Sequence, residues 1–258
     1  MTEPIITNRQ MKEFASLDDA KGRRKTGLFV AEGTKCVLEI AEIFAAAYVY
    51  ATRQWIDEHG TTVGGISVTE VPLSKLRELT RLSSTPQVIG YFHIPEPAAV
   101  PEADYFANNL VVMLDCVQDP GNLGTILRTC DWMGVCTIIA SRDTVDAFNP
   151  KVVQATMGGL ARTRIIYTDL PELLASLDGK VPVYGTFLDG ENIYTTQLSA
   201  TGIVVMGNEG KGISAAVEQH VSHHILIPPY PADSSTVESL NVAIATAITL
   251  SQFRARQS

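Results

Sequence analysis

Leu110-Val111-Val112-Met113-Leu114, followed after a short polar gap by Asp119-Pro120-Gly121-Asn122-Leu123-Gly124-Thr125-Ile126-Leu127-Arg128-Thr129-Cys130, is the stretch on which the fold turns. The apolar run reads as a strand and the second segment as the opening of an amphipathic helix. Leu123, Ile126, Leu127 and Cys130 recur at helical spacing and bury one stripe. Asn122 sits at the turn and Arg128 lies off the stripe, so both side chains are free for work outside the core. A strand ending in a polar, glycine-punctuated turn marks a site in an open α/β sheet.

Two later segments extend the pattern. Ile203-Val204-Val205-Met206-Gly207-Asn208-Glu209-Gly210-Lys211-Gly212-Ile213-Ser214 is again an apolar strand running into a glycine-rich turn, here with one carboxylate. Ile225-Leu226-Ile227-Pro228 follows, then a polar loop, then Ser239-Leu240-Asn241-Val242-Ala243 and a long apolar helix. In this order and spacing the three segments resemble the three motifs of the SpoU (TrmH) family of the SPOUT superfamily, S-adenosylmethionine-dependent RNA ribose 2′-O-methyltransferases. The resemblance covers roughly residues 108–254.

The resemblance implies a mostly parallel α/β sheet with a C-terminal trefoil knot, preceded by a small α/β sandwich resembling a ribosomal-protein-like RNA-binding domain. It implies a homodimer, S-adenosylmethionine as cofactor and RNA as partner, with rRNA favoured over tRNA because a separate RNA-binding domain is fused in front. Asn122, Arg128, Glu209, Ser239 and Asn241 match the family's catalytic positions, while Thr186, Met206, Gly207, Ile227 and Leu240 match cofactor contacts made largely through backbone. In the family the arginine at the position of Arg128 is proposed to act on the ribose hydroxyl. Arginine, with a pKa above about 12, is a poor base. Arg128 is therefore expected to clamp phosphate and hydroxyl, with the proton passing to that phosphate or to solvent. One departure is plain: where the family commonly has Ile-Pro-Met, one residue and glycine, residues 229–238 form a longer loop without glycine. The other class of function compatible with these motifs is a catalytically silent RNA-binding protein that keeps the fold.

Composition is consistent with this picture. The chain has 258 residues, 45% of them apolar, enough for a large and a small domain. No apolar run of about 18 residues offers a membrane span, and the start, with Glu3, does not read as a signal peptide. Cys36, Cys116, Cys130 and Cys136 form no C-x-x-C pair, which suggests reduced thiols in a cytoplasmic protein rather than a metal site or disulfides. A net charge of −8 argues against a uniformly basic nucleic-acid surface, so any RNA contact must be local. Residues 1–100 carry 11 Lys and Arg against 12 Asp and Glu, and the acidity sits in the remainder. Lys21, Arg23, Arg24 and Lys25 concentrate positive charge in that first part, readable either as a solvated turn or as an RNA phosphate-binding patch.

Pro95, Pro97 and Pro101 disfavour helix and ladder alike and suggest a linker over 98–107 between an RNA substrate-binding domain, 1–97, and a catalytic domain, 108–258. In the first domain, strands are expected at Leu28–Ala31, Tyr48–Ala51, Ile66–Val68 and Val88–Phe92, with helices at Lys35–Ala46 and Ser74–Leu82. In the second, strands near 110–115, 136–140, 163–167, 181–187, 202–206 and 224–227 alternate with helical patterns, the signature of a parallel sheet. Gly207–Ser214 is not a phosphate loop, since Val205 and Gly212 stand where glycine and Ser/Thr are needed. No G-x-G-x-x-G follows a strand. His220, His223 and His224 are not read as a metal site, because alternation points the adjacent pair to opposite faces. Gly158-Gly159-Leu160 reads as a helix stop.

Overall fold

The structure, a computed structural model, describes residues 6–177, 179–231 and 239–255. The reading of the 229–238 loop therefore falls largely, over 232–238, outside the described residues. The chain opens with Asn8–Ser16 (α1), Ala20–Thr26 (α2), Leu28–Glu32 (β1), Thr34–Ala41 (α3), Ala46–Ala51 (β2) and Arg53–His59 (α4). Short strands Thr62–Val63 (β3), Ile66–Ser67 (β4) and Thr69–Glu70 (β5) precede Leu73–Leu79 (α5) and Val88–His93 (β6). There follow Ala103–Asn108 (α6), Leu110–Leu114 (β7), Pro120–Trp132 (α7), Thr137–Ser141 (β8), Pro150–Thr156 (α8), Arg164–Thr168 (β9) and Leu170–Ser176 (α9). Val183–Asn192 (β10), Gly202–Met206 (β11), Ala215–Glu218 (α10), His223–Leu226 (β12) and Val242–Ala255 (α11) complete the order.

Two compact units result. One runs to Glu96 and takes in Asp146–Ala161; the other holds Pro97–Val145 and the chain from Arg162 onward. The first unit has a four-stranded sheet of order β1-β6-β2-β5, with β6 antiparallel to both neighbours and β5 parallel to β2. Phe14 of α1 lies flat on Tyr91 of β6, ring centroids 3.7 Å apart, with Leu17, Leu76 and Ile89 fully buried around them. The basic cluster is neither turn nor uniformly exposed patch: it is helix α2. Gly22 stands there because a Cβ would fall 1.9 Å from the Ser16 carbonyl oxygen at the end of α1.

Arg23 corrects the expectation of an RNA contact. It is only 2% exposed: its Nε and Nη2 donate to Asp146 Oδ2 at 2.8 and 2.6 Å, and Nη1 donates to the carbonyls of Leu17 and Asp18 at 2.7 and 3.1 Å. A guanidinium so engaged has no fork left for phosphate. Lys21, Arg24 and Lys25 remain exposed, and Arg9 and Lys12 of the adjacent α1 join them; none of the five has an ion-pair partner among the described residues.

The segment carrying Asp146 departs from the expected boundary at 97–108. Helix α8 connects parallel strands β8 and β9, yet it packs in the first unit against β1. Val152, Val153 and Thr156 are buried, the Cys36 thiol lies 3.8 Å from the Val153 carbonyl, and Phe148 packs on Phe29 with centroids 4.9 Å apart. Burial pushes the Cys36 thiol up to about 12.

The second unit is built on a six-stranded, wholly parallel sheet of order β12-β10-β11-β7-β8-β9. The central strands β7, β8 and β11 are buried at every position, as unbroken apolar runs require when both faces are covered. Asp119 and Asp169 cap α7 and α9, accepting from the Asn122 and Glu172 amides at 2.8 and 3.0 Å, each with proline in the first turn. The expected linker over 98–107 is not one. Its prolines exclude helix only until Pro101, after which α6 forms with Phe106 fully buried, and Ala98, Val100 and Tyr105 pack on the core of this unit.

Candidate functional site

Strands β7 and β11 are parallel neighbours, paired from Leu110 with Gly202 to Leu114 with Met206, so their turns emerge at one sheet edge. That edge is where open α/β sheets bind ligands. Two side chains unforeseen in the sequence staple the turns together. Asp115 donates its amide to the Met206 carbonyl (2.9 Å) and accepts from the Ser214 amide (2.7 Å). Asn208 donates its side-chain amide to the Cys116 carbonyl (2.8 Å) and accepts from the Gly210 and Lys211 amides (2.9 and 3.0 Å).

Asn122, Glu209 and Asn241, expected to act together, meet in a relay of defined polarity. Asn241 caps α11, its Oδ1 accepting from the Ala243 and Ile244 amides at 3.0 and 3.2 Å. With its oxygen so occupied, Asn241 offers Nδ2, which donates to Asn122 Oδ1 at 2.8 Å. Asn122 must then turn its own Nδ2 outward, and this donates to Glu209 Oε1 at 2.7 Å. The helix terminus thus dictates, through two amides, that a hydrogen-bond acceptor stands at the end of the chain, and Glu209 supplies it.

Beside the relay lies a cavity of about 610 Å³. Thr186, Met206, Gly207, Ile227 and Leu240, the expected cofactor contacts, all line it, as do Glu209 and Ser239. Phe187, Ile213 and Glu218 complete walls that the motifs did not single out; the Phe187 ring stacks on His224 at 4.0 Å. The size is within the range of about 300–1,000 Å³ typical of cofactor sites, and the walls are apolar side chains and glycine backbone with few polar groups. S-adenosylmethionine fits such a lining: an apolar slot for adenine and carboxylates for a cation. Gly207 is required by the protein itself, since a Cβ would lie 2.3 Å from the Gly212 carbonyl carbon and 2.4 Å from the Ile213 nitrogen. A bulky residue there deforms the turn before it meets any ligand.

Arg128 is not brought to this cavity. Six residues beyond Asn122 on α7, it stands about 9 Å along the axis and roughly 120° round. It is exposed and has no hydrogen bond or ion pair among the described residues. The surface pairing with Asp131 that would make it merely structural does not occur, because Asp131 accepts from Arg162 at 2.9 Å through both Nε and Nη2. One helical turn on, Trp132 is 87% exposed.

Among the described residues no group of three or more His, Cys, Asp and Glu is arranged to hold a metal. His223 stacks on Tyr184 and His224 on Phe187. All four cysteines are unpaired; Cys36 and Cys130 are buried, Cys116 is half-buried and Cys136 is exposed. No helix among the described residues is long and apolar enough to cross a membrane.

A parallel α/β domain with a cavity at the carboxyl edge, a glycine turn in its wall and an Asn-Asn-Glu relay at its side defines the class of a nucleotide-cofactor enzyme. The particular family is settled by comparison. Residues 109–251 match the SpoU rRNA Methylase family and residues 8–90 an MRM3-like substrate binding domain; the chain belongs to the SpoU rRNA methylase family. It is 28% identical to the 23S rRNA (guanosine(2553)-2′-O)-methyltransferase RlmP of Bacillus subtilis, over 96% of each chain. A solved TrmH-family protein from Porphyromonas gingivalis superposes with a TM-score of 0.86 at 35% identity, covering 97% of this chain and 99% of that one. An AdoMet-bound rRNA methyltransferase from Sinorhizobium meliloti gives a TM-score of 0.83 at 29% identity, covering 97% and 96%.

Proposed function

We propose that the protein transfers a methyl group from S-adenosylmethionine to a ribose 2′-hydroxyl of structured RNA, with rRNA the substrate class. The observation that carries this is the meeting of Asn122, Glu209 and Asn241 beside the cavity lined by Thr186, Met206, Gly207, Ile227 and Leu240. When bound, S-adenosylmethionine supplies an electrophilic methyl on a sulfonium. Glu209, Asn122 and Asn241 orient donor and acceptor at the mouth, and Ser239 adds a hydroxyl there. Arg128 holds a substrate phosphate and the 2′-oxygen in its planar fork while the proton leaves to that phosphate or to solvent. The rRNA assignment is supported by the name of the relative spanning 96% of this chain and by the fused substrate-binding match.

Four further features belong to this reading. The protein acts as a homodimer, and the face of α7 carrying Arg128 and the exposed Trp132 is the surface assigned to it. Dimerisation is what sets Arg128 beside a cavity, that of the second protomer. The C-terminal segments form a trefoil knot. The protein works in the cytoplasm, where its RNA is. The region before Pro97 holds the substrate RNA through Lys21, Arg24 and Lys25, with Arg9 and Lys12.

The test is calorimetry with S-adenosylmethionine on the purified chain, together with mapping of ribose methylation in rRNA from a deletion strain. Cofactor binding and the loss of one 2′-O-methyl mark, restored by the wild-type gene, are expected. Binding without any lost mark in rRNA or tRNA would overturn the catalytic reading in favour of a silent RNA-binding protein.

A further inference from the structure

The charged residues lining the cavity are Glu209, Lys211 and Glu218. Glu209 is satisfied by the Asn122 amide. Glu218, the last residue of α10, is half-buried, and its carboxylate has no hydrogen bond or ion pair among the described residues. The same lining holds Phe187 and Ile213, which offer no side-chain donors, and Lys211, which forms no ion pair with Glu218 among the described residues. A carboxylate partly withdrawn from water without a partner is unfavourable unless a cation arrives to meet it.

We propose that Glu218 is the counter-charge that holds the α-ammonium of the cofactor's amino-acid moiety, an inference that rests on the methyltransferase reading. With two carboxylates and one ammonium the lining is net negative, and S-adenosylmethionine, with sulfonium and ammonium against one carboxylate, is net positive. Of the two cations only the ammonium has N–H groups to donate, and an acceptor-only carboxylate is satisfied by donors, not by a sulfonium. The ribose diol could also donate to Glu218, but being neutral it would leave the half-buried charge uncompensated. Glu218 is thus a positioning residue: fixing the amino-acid tail sets where the methyl-bearing sulfur stands.

Three ligands separate the possibilities in titration calorimetry on the full chain: S-adenosylmethionine, S-adenosylhomocysteine, and 5′-deoxy-5′-methylthioadenosine, which keeps the nucleoside but lacks the amino acid. Glu218→Gln should weaken the first two by about tenfold or more, as expected for loss of one side of a partly desolvated charge pair. The third should bind as to wild type, and Glu218→Asp should keep most of the affinity for the first two. Equal losses for all three ligands would move the contact to the nucleoside and overturn the assignment, and so would unchanged affinities. If wild type binds none of the three, the proposal falls with the reading beneath it. Wild-type binding with an indifferent Glu218→Gln sinks the proposal alone.

Discussion

Arg23 and Arg24 are adjacent in sequence, and substituting each with methionine should give opposite results. Methionine at 23 keeps an apolar stem but removes the two bonds to Asp146 Oδ2 and the two to the carbonyls of Leu17 and Asp18. Breaking one side of a buried ion pair costs about 3–5 kcal/mol. The Asp146 side chain is 37% exposed, so water recovers part of that, leaving about 2–4 kcal/mol. At about 2–4 °C per kcal/mol for a chain of this size, the apparent Tm of Arg23→Met should fall by roughly 5–15 °C. Arg24→Met, on the exposed side of the same helix, should stay within about 0.5 kcal/mol of wild type. Thermal and urea unfolding followed by far-UV circular dichroism, with RNA binding measured on the same preparations, reads both. An Arg23→Met protein that unfolds like wild type while losing RNA affinity would return Arg23 to the surface and refute the burial argument.

Replacing Lys21, Arg24 and Lys25 together by glutamine should lower the slope of log K against log salt for RNA by roughly 2–3 units and leave cofactor affinity unchanged; an unaltered slope would make α2 a merely solvated helix. Arg128→Ala should move stability by no more than about 0.5 kcal/mol, yet slow single-turnover methyl transfer about 10²-fold or more at saturating cofactor, with Arg128→Lys nearly as slow. Near wild-type rates for the alanine variant would remove Arg128 from the reaction. Asn241→Asp keeps an oxygen to cap α11 but has no donor for Asn122, so transfer should fall while the unfolding midpoint holds, whereas Asn241→Ala should lose both, with about 0.5–2 kcal/mol of stability; equal midpoints and equal rates for the two would dissolve the relay.

The central strands were legible because β7 and β11 are apolar runs and β8 has an apolar middle, Ile138-Ile139-Ala140, and α7 because a capping Asp119 and Pro120 precede a helical stripe. Helices α1 and α2 were not, since both are short and carry few apolar residues, Phe14 and Met11 meeting the core from α1 and only Arg23 being buried in α2. The allegiance of α8 was hidden for a different reason. Its buried Val152 and Val153 show that the helix has an inner face, but not which sheet covers it. Arg23 fails the same way: its partner lies 123 residues along the chain, and nothing local separates it from Arg24. In the site, glycine, Asn122, Glu209 and Asn241 stood out as polar breaks in apolar segments. Asp115 and Asn208 escaped because their role is to join two turns, which exists only once β7 and β11 are neighbours.

The polarity of the relay bears on which group can take the hydroxyl proton. Glu209 is held as an acceptor by the Asn122 amide, and each step of that orientation traces back to the amides at the start of α11. Arg128 is cationic at every working pH and can only donate. With Glu209 Oε1 engaged by Asn122 and Arg128 able only to donate, the proposed reaction gives both a geometric and electrostatic contribution: Glu209 at the cofactor mouth and Arg128 on the substrate phosphate. Single-turnover rates for wild type should then show no basic limb set by a side chain, and the Arg128→Ala defect should be the same across pH. A defect that shrinks as pH rises would instead mean that Arg128 acts by lowering the pKa of the ribose hydroxyl.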